Sequence, residues 1–195
     1  MYDKTYCYPD TDILINNLNI TDEDKLAEVE RKFTMLRIYE LLHNPIIGSF
    51  DLNHLCRIHQ YIFQDLYSWA GELRTVDIAK GYYFCHCDYI ASNAKKLFSD
   101  LKSENYLRGL SADRFITRIS FYFSEINALH PFRDGNGRAQ REFIRSLALW
   151  NGYQIKFSLV PADEMLKASI DSFACDYRRT EDMFRKCITS MSPSI

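Results

Sequence analysis

Residues 111–151, SADRFITRISFYFSEINALHPFRDGNGRAQREFIRSLALWN, decide how this chain is read. Phe115, Ile116, Ile119, Tyr122, Phe123 and Ile126 recur at i, i+1, i+4, i+7, i+8 and i+11, the stripe of a core-facing helix. Pro131 disfavours the α conformation at His130 and ends that helix there. A second helix is predicted from about Gly137 through Phe143, Ile144, Leu147 and Ala148 to the Asn151-Gly152 stop. Two core helices in direct succession predict an all-α, mainly helical fold.

The flanking sequence extends that pattern. Thr21-Asp22-Glu23-Asp24 reads as a helix start capped by Thr21, followed by a stripe of Leu26, Val29, Phe33 and Leu36 and an end near Asn44-Pro45. A helix opening near Ser49 places Leu52, Leu55, His59, Ile62, Phe63 and Leu66 on one side and closes at Trp69-Ala70-Gly71. Residues 73–78 then alternate with period two, and Ala79-Lys80-Gly81 forms a turn before Tyr82-Tyr83-Phe84, predicting a β-hairpin over 73–86. Further helices are expected from Asp88 to Leu101, after Pro161 and from Thr180.

With 195 residues, 47% apolar, a single self-sufficient domain over 1–195 is expected. The net charge of −2 supplies no broad basic surface for nucleic acid, so an anionic ligand must be held locally. The start, MYDKTYCYPD, has no apolar run behind basic residues, and no membrane-spanning run of apolar residues follows, so a cytoplasmic protein is expected. The six cysteines are accordingly read as free thiols. Cys85-His86-Cys87 lacks a second ligand pair at similar spacing and reads as a half-buried turn rather than a tetrahedral zinc site.

The connection HPFRDGNGRAQR, residues 130–141, concentrates what a structural link does not need. Gly135-Asn136-Gly137 allows convergent backbone N–H groups leading into a helix N-terminus, an anion-binding arrangement. Arg138 and Arg141, three apart on that helix, can lean toward one anion with forked, bidentate geometry, which suggests more than one phosphate. Asp134 beside the nest would repel phosphates unless a hard cation such as Mg²⁺ joined them. His130 continues the apolar stripe and alone would read as a core histidine. Beside a phosphate site, an imidazole with pKa near 6.5 can instead act as general base at neutral pH. No GxxxxGK[ST] is present, and the lone GxG follows a helix rather than a strand.

These residues resemble the Fic family. HPFRDGNGRAQR matches its signature HxFx(D/E)GNGRxxR at every specified position, FQDLYSWAGELRTVDI (63–78) is similar to the segment leading into the family's flap hairpin, and SEINALHPF (124–132) is similar to the end of its motif helix. The resemblance covers about residues 20–185. It implies a helical bundle with the hairpin as flap, and a protein adenylyltransferase that moves AMP from ATP to a target hydroxyl on Ser, Thr or Tyr. His130 would deprotonate the hydroxyl, and Asp134 would hold Mg²⁺. Gly135, Asn136 and Gly137 would form the anion hole, and Arg138 and Arg141 would hold the β- and γ-phosphates. Asn127 matches a position near the nucleotide and equally reads as a helix-end cap; Lys80 resembles a flap lysine and equally reads as a solvated turn residue. Phe132 matches the position that anchors the loop.

The family's inhibitory pattern [S/T]xxxE[G/N], whose glutamate pairs with the second motif arginine, here Arg141, has one partial match. Ser68-x-x-x-Glu72 has the spacing but is followed by Leu73. Together with the aromatic start Tyr6-Cys7-Tyr8-Pro9, this implies the toxin of a bacterial toxin–antitoxin pair, with a small antitoxin supplying the helix in trans. Transfer of another nucleotide moiety such as UMP, transfer of phosphocholine, and a non-catalytic helical interaction module remain as alternatives.

Overall fold

The computed structural model describes residues 5–190; residues 1–4 of the start segment lie outside that range. Seven α-helices are present among the described residues. Helix α1 (Glu23–His43) starts under Asp22, not Thr21, because Asp22 has the extended backbone and its carboxylate accepts the Lys25 N–H at 2.8 Å. Its inward face also differs from the expected stripe: Leu36 is 51% exposed, whereas Leu26, Glu30, Thr34 and Leu41 point inward. Polar residues occupy that face because they meet a motif arginine, described below.

Helix α2 (Leu52–Phe63) starts three residues beyond Ser49 and ends short of Trp69; its cap is Asp51, which accepts the His54 N–H at 2.8 Å. Leu66 and Trp69 are buried from the turns that follow. Helices α3 (Ile90–Ser103), α4 (Ala112–Leu129) and α5 (Asn136–Trp150) come next, then α6 (Ala162–Ser172) and α7 (Arg178–Cys187). Helix α4 packs on α3, α5 and α7, and α5 packs on α2 as well as α4. Phe115, Ile119, Tyr122, Phe143, Ile144 and Leu147 have no exposed surface. Each fully buried side chain of this kind stabilises by ~1.5–3 kcal/mol. Gln140 on α5 donates to the Phe123 carbonyl of α4, fixing the register of the two motif helices.

The hairpin is present but its ladder is short. Strands β1 (Ala79–Lys80) and β2 (Tyr82–Tyr83) pair antiparallel around Gly81 at φ +80°. Residues 73–78 form no strand: the Arg74 N–H donates to the Pro131 carbonyl at 2.9 Å and the Thr75 N–H to the Tyr6 hydroxyl at 3.1 Å, and only Ile78 still bonds across the hairpin, its carbonyl accepting the Phe84 N–H at 3.2 Å. A second antiparallel pair, β3 (Tyr153–Ile155) with β4 (Ile188–Ser190), closes α5 against the end of α7 and was not signalled by the sequence. The cysteines are thiols rather than disulfides, and among the described residues no helix is long and apolar enough to cross a membrane.

Candidate active site

The loop between α4 and α5 is fixed from several sides. His130 ends α4 in the left-handed conformation (φ 45°, ψ 60°) that frees the chain to turn at Pro131. Asn136 folds its side chain back on the loop, accepting the Phe132 N–H at 2.9 Å and donating to the Phe132 carbonyl at 2.7 Å. What Asn136 offers a ligand is therefore its backbone, not its carboxamide. Phe132 is fully buried, stacked on His59 with ring centroids 3.9 Å apart. His59 accepts the Gly71 N–H at Nδ1 (2.9 Å) and so carries its proton on Nε2, donating to the Asp134 carbonyl at 2.9 Å. Burial drives the His59 pKa down to about 4, keeping this tautomer neutral.

Gly135 has φ +75°, and a Cβ there would lie 2.2 Å from the Phe63 ring, so both conformation and space demand glycine. Gly137 is approached by Arg141 Nη1 at 3.2 Å from the same hypothetical atom. The nest thus opens directly onto an arginine. Asp134 Oδ1 accepts the Gly135 N–H at 2.6 Å, which places the carboxylate at the nest.

The two arginines have different surroundings. Arg138 bonds Glu30 Oε1 at 2.7 Å and lies over the Phe63 ring, 4.5 Å from its centroid, with Thr34 Oγ1 at 3.4 Å. Glu30 in turn accepts from the Tyr67 hydroxyl. Arg141 is half-buried and reaches Met165 Sδ at 3.7 Å, with no carboxylate partner among the described residues. Burial, with Arg138 alongside, pushes its pKa down. A half-buried guanidinium without a counter-charge attracts an anion.

His130 Nδ1 lies 3.2 Å from the Asn127 carbonyl, which fixes the proton on Nδ1 and leaves Nε2 with its lone pair. Asn127 thereby enters the site through its backbone. Phe84 of the flap stacks on the imidazole, centroids 3.6 Å apart and 16° between planes. Burial drives the His130 pKa to about 4; Lys80 and Arg74 act in the same direction, the Asn127 carbonyl and Asp134 against it. The expected value near 6.5 is thus replaced by a strongly depressed one, and the imidazole is neutral at pH 7. Lys80, exposed on β1, comes close enough to act on His130 electrostatically.

Arg74 was not singled out by sequence. Its side chain is fully buried, and it donates to the His130 carbonyl at 2.8 Å, the Val76 carbonyl at 2.7 Å and the Cys85 carbonyl. One guanidinium therefore binds both legs of the flap to the histidine's own backbone. The signal was present only as an arginine inside an alternating apolar segment. Glu30, four residues after Leu26 on the inward stripe, was likewise legible only as a misplaced charge. Arg133 turns away from the nest toward Tyr6 and Cys7 and helps seat the N-terminal segment.

Residues 49–148 match the profile of the Fic/DOC family. The chain belongs to this family. It is 42% identical over 188 residues to protein adenylyltransferase VbhT of Bartonella schoenbuchensis, covering 96% of this chain but 39% of that relative's length. It is 37% identical to the probable protein adenylyltransferase Fic of Salmonella typhimurium, covering 94% and 92% of the two chains. Among solved structures, BepC of Bartonella tribocorum, crystallised with bound AMPPNP, superposes with a TM-score of 0.91 at 28% identity, covering 96% of this chain and 97% of that one.

Proposed function

We propose that this Fic/DOC chain is a protein adenylyltransferase, moving AMP from ATP to a hydroxyl of a target protein and releasing pyrophosphate. The observation that carries the reading is a neutral His130 with a free Nε2 lone pair beside a glycine nest that faces the uncompensated Arg141. The relatives' names and the nucleotide analogue held by BepC point the same way.

His130 Nε2 takes the proton of the target hydroxyl as its oxygen attacks the α-phosphorus; the P–O bond to the β-phosphate breaks and pyrophosphate departs with that electron pair. The N–H groups of Asn136 and Gly137 donate to phosphate oxygens, joined by that of Gly135 when it exchanges the Asp134 carboxylate for phosphate, and Arg138 and Arg141 hold the departing β- and γ-phosphates. Glu30 and Tyr67 orient Arg138 so that its fork is set before the nucleotide arrives. Asp134 fits Mg²⁺: it places a single hard carboxylate at the nest, and this ion takes one or two carboxylates together with phosphate oxygens. An ion held there by Asp134 would neutralise phosphate charge. General-base help of this kind contributes ~10²–10⁴ in rate.

The target docks along the flap, beside a cavity of about 540 Å³ lined by Phe84, His86, Asn93, Lys96, Glu125 and Phe173. The reading includes a bacterial toxin held in check by a small antitoxin whose [S/T]xxxE[G/N] glutamate pairs with Arg141. Two features support it: Arg141 has no carboxylate of its own among the described residues, and a cleft of about 440 Å³ runs from Arg138 past Glu30, Thr34, Met35 and Ile38. Incubation of the protein and a bacterial lysate with ATP, GTP, CTP or UTP, followed by mass measurement of modified peptides, tests the base preference. Modification by AMP is expected, and preferential modification from UTP would overturn it.

A further inference from the structure

The sequence offered Cys85-His86-Cys87 without a second ligand group, and folding supplies one from the opposite leg of the flap. Asp77, His86 and Cys87 each bring a ligand atom to within 4.8 Å of the other two. Asp77 Oδ2 lies 3.0 Å from His86 Nε2, close to the separation of two ligands on one small ion. Cys85 takes no part: its sulfur turns away and accepts from Asn93 Nδ2 at 3.2 Å.

The groups around this trio hold the ligands as supporting partners of a metal site do. Asp77 Oδ1, the carboxylate oxygen turned from His86, accepts the Cys87 N–H at 2.9 Å and lies 3.7 Å from Arg74 Nη1. That leaves Oδ2 as the coordinating atom. The other imidazole nitrogen, His86 Nδ1, accepts the Asp88 N–H at 3.4 Å, with Asp88 Oδ2 3.7 Å away, so the ring is held from its far side while Nε2 faces Asp77. Side chains of His86 and Asp77 are 51% and 40% exposed, so an ion can enter and the trio can contract by the ångström or so that closure requires.

We propose that Asp77, His86 and Cys87 form a transition-metal site, with Zn²⁺ as its ion and water completing the tetrahedron. The donor set of one oxygen, one nitrogen and one sulfur excludes Mg²⁺ and Ca²⁺, which take oxygen, and suits a borderline-soft divalent ion. On binding, the Cys87 thiol releases its proton to solvent and coordinates as thiolate. Coordination through His86 Nε2 leaves the ring proton on Nδ1, where the Asp88 carboxylate, 3.7 Å away, replaces the Asp88 N–H as its partner. The ion joins residue 77 on one leg of the flap to residues 86 and 87 on the other, a cross-link at the base of a hairpin whose own ladder is two residues per strand. The flap that carries Lys80 and Phe84 to His130 is then tied by metal as well as by Arg74. The site is separate from the Mg²⁺ position at Asp134, which has no sulfur donor.

Co²⁺ titration of the full chain, reduced and in the absence of nucleotide, tests this directly. The expected result is one Co²⁺ per chain with a thiolate-to-metal charge-transfer band, bleached by an equivalent of Zn²⁺. Cys87→Ser abolishes the band, His86→Ala and Asp77→Asn weaken binding ~10–100-fold, and Cys85→Ser and Cys175→Ser leave it unchanged. All five positions lie outside the buried core, and circular dichroism of each variant serves as the check on its folding. Absence of a thiolate band in wild type, or a band that survives Cys87→Ser, overturns the proposal.

Discussion

The motif loop and the flap meet at His130 but are built on opposite principles. Residues 130–137 are immobilised by core packing: Phe132 against His59, Gly135 against Phe63, Asn136 bonded twice to Phe132. The flap is an exposed loop of two-residue strands, fastened at its base by Arg74 and by the Asp77–His86 contact. Groups that must sit within tenths of an ångström of a phosphate belong on a rigid support, whereas a surface that receives another protein's chain gains from an adaptable one. Damage to the loop should therefore cost folding and chemistry together, and damage to the flap should cost target modification alone.

Acid should expose the loop's dependence on neutral imidazoles most strongly. His130 and His59 both titrate near 4 in the folded protein and at 6.5 in the unfolded chain, so between those values the unfolded state binds more protons. Their contribution to stability is complete above pH 6.5 and is lost as pH falls toward 4, on the order of 3 kcal/mol for each. Urea unfolding across this range measures it, with His59→Gln flattening the curve. Gly135→Ala tests the packing: the positive φ and the Phe63 ring together predict about 2–5 kcal/mol of lost stability, read as a lower urea midpoint.

Arg74→Met sharpens the contrast from the flap side. It leaves the His130 and Cys85 carbonyls without their donor, and transfer to protein targets should fall ~10–100-fold while ATP affinity, measured by calorimetry, changes little. Arg74→Lys should recover part of the loss. Equal losses of ATP binding and transfer would erase the distinction between the two regions. Lys80→Ala is the mildest test, with transfer expected to fall less than ~10-fold, since the amine is exposed and acts at a distance.

Much of this was legible in the sequence, and the parts that were not share a cause. The α4–α5 pair follows from apolar periodicity and Pro131, and the anion site from Gly135-Asn136-Gly137 with its arginines, because both signals are local. Glu30, His59, Tyr67 and Arg74 act through partners far along the chain: His59 meets Asp134, and Arg74 meets His130. In sequence they read as charges or rings in the wrong place. The depressed pKa of His130 is equally non-local, since burial produces it and the flap's Phe84 lies stacked on the ring. The β3–β4 pair leaves no mark in the sequence because three-residue strands carry no usable alternation.

The central claim is that His130 activates a target hydroxyl against the α-phosphate of ATP. ATP labelled at the α-phosphate, or separately at the γ-phosphate, incubated with the protein and a bacterial lysate, tests it most directly. Label should enter protein from the α position only, with His130→Ala reducing incorporation ~10²–10⁴-fold at unchanged ATP affinity. Incorporation from the γ position, or undiminished labelling by His130→Ala, would contradict it.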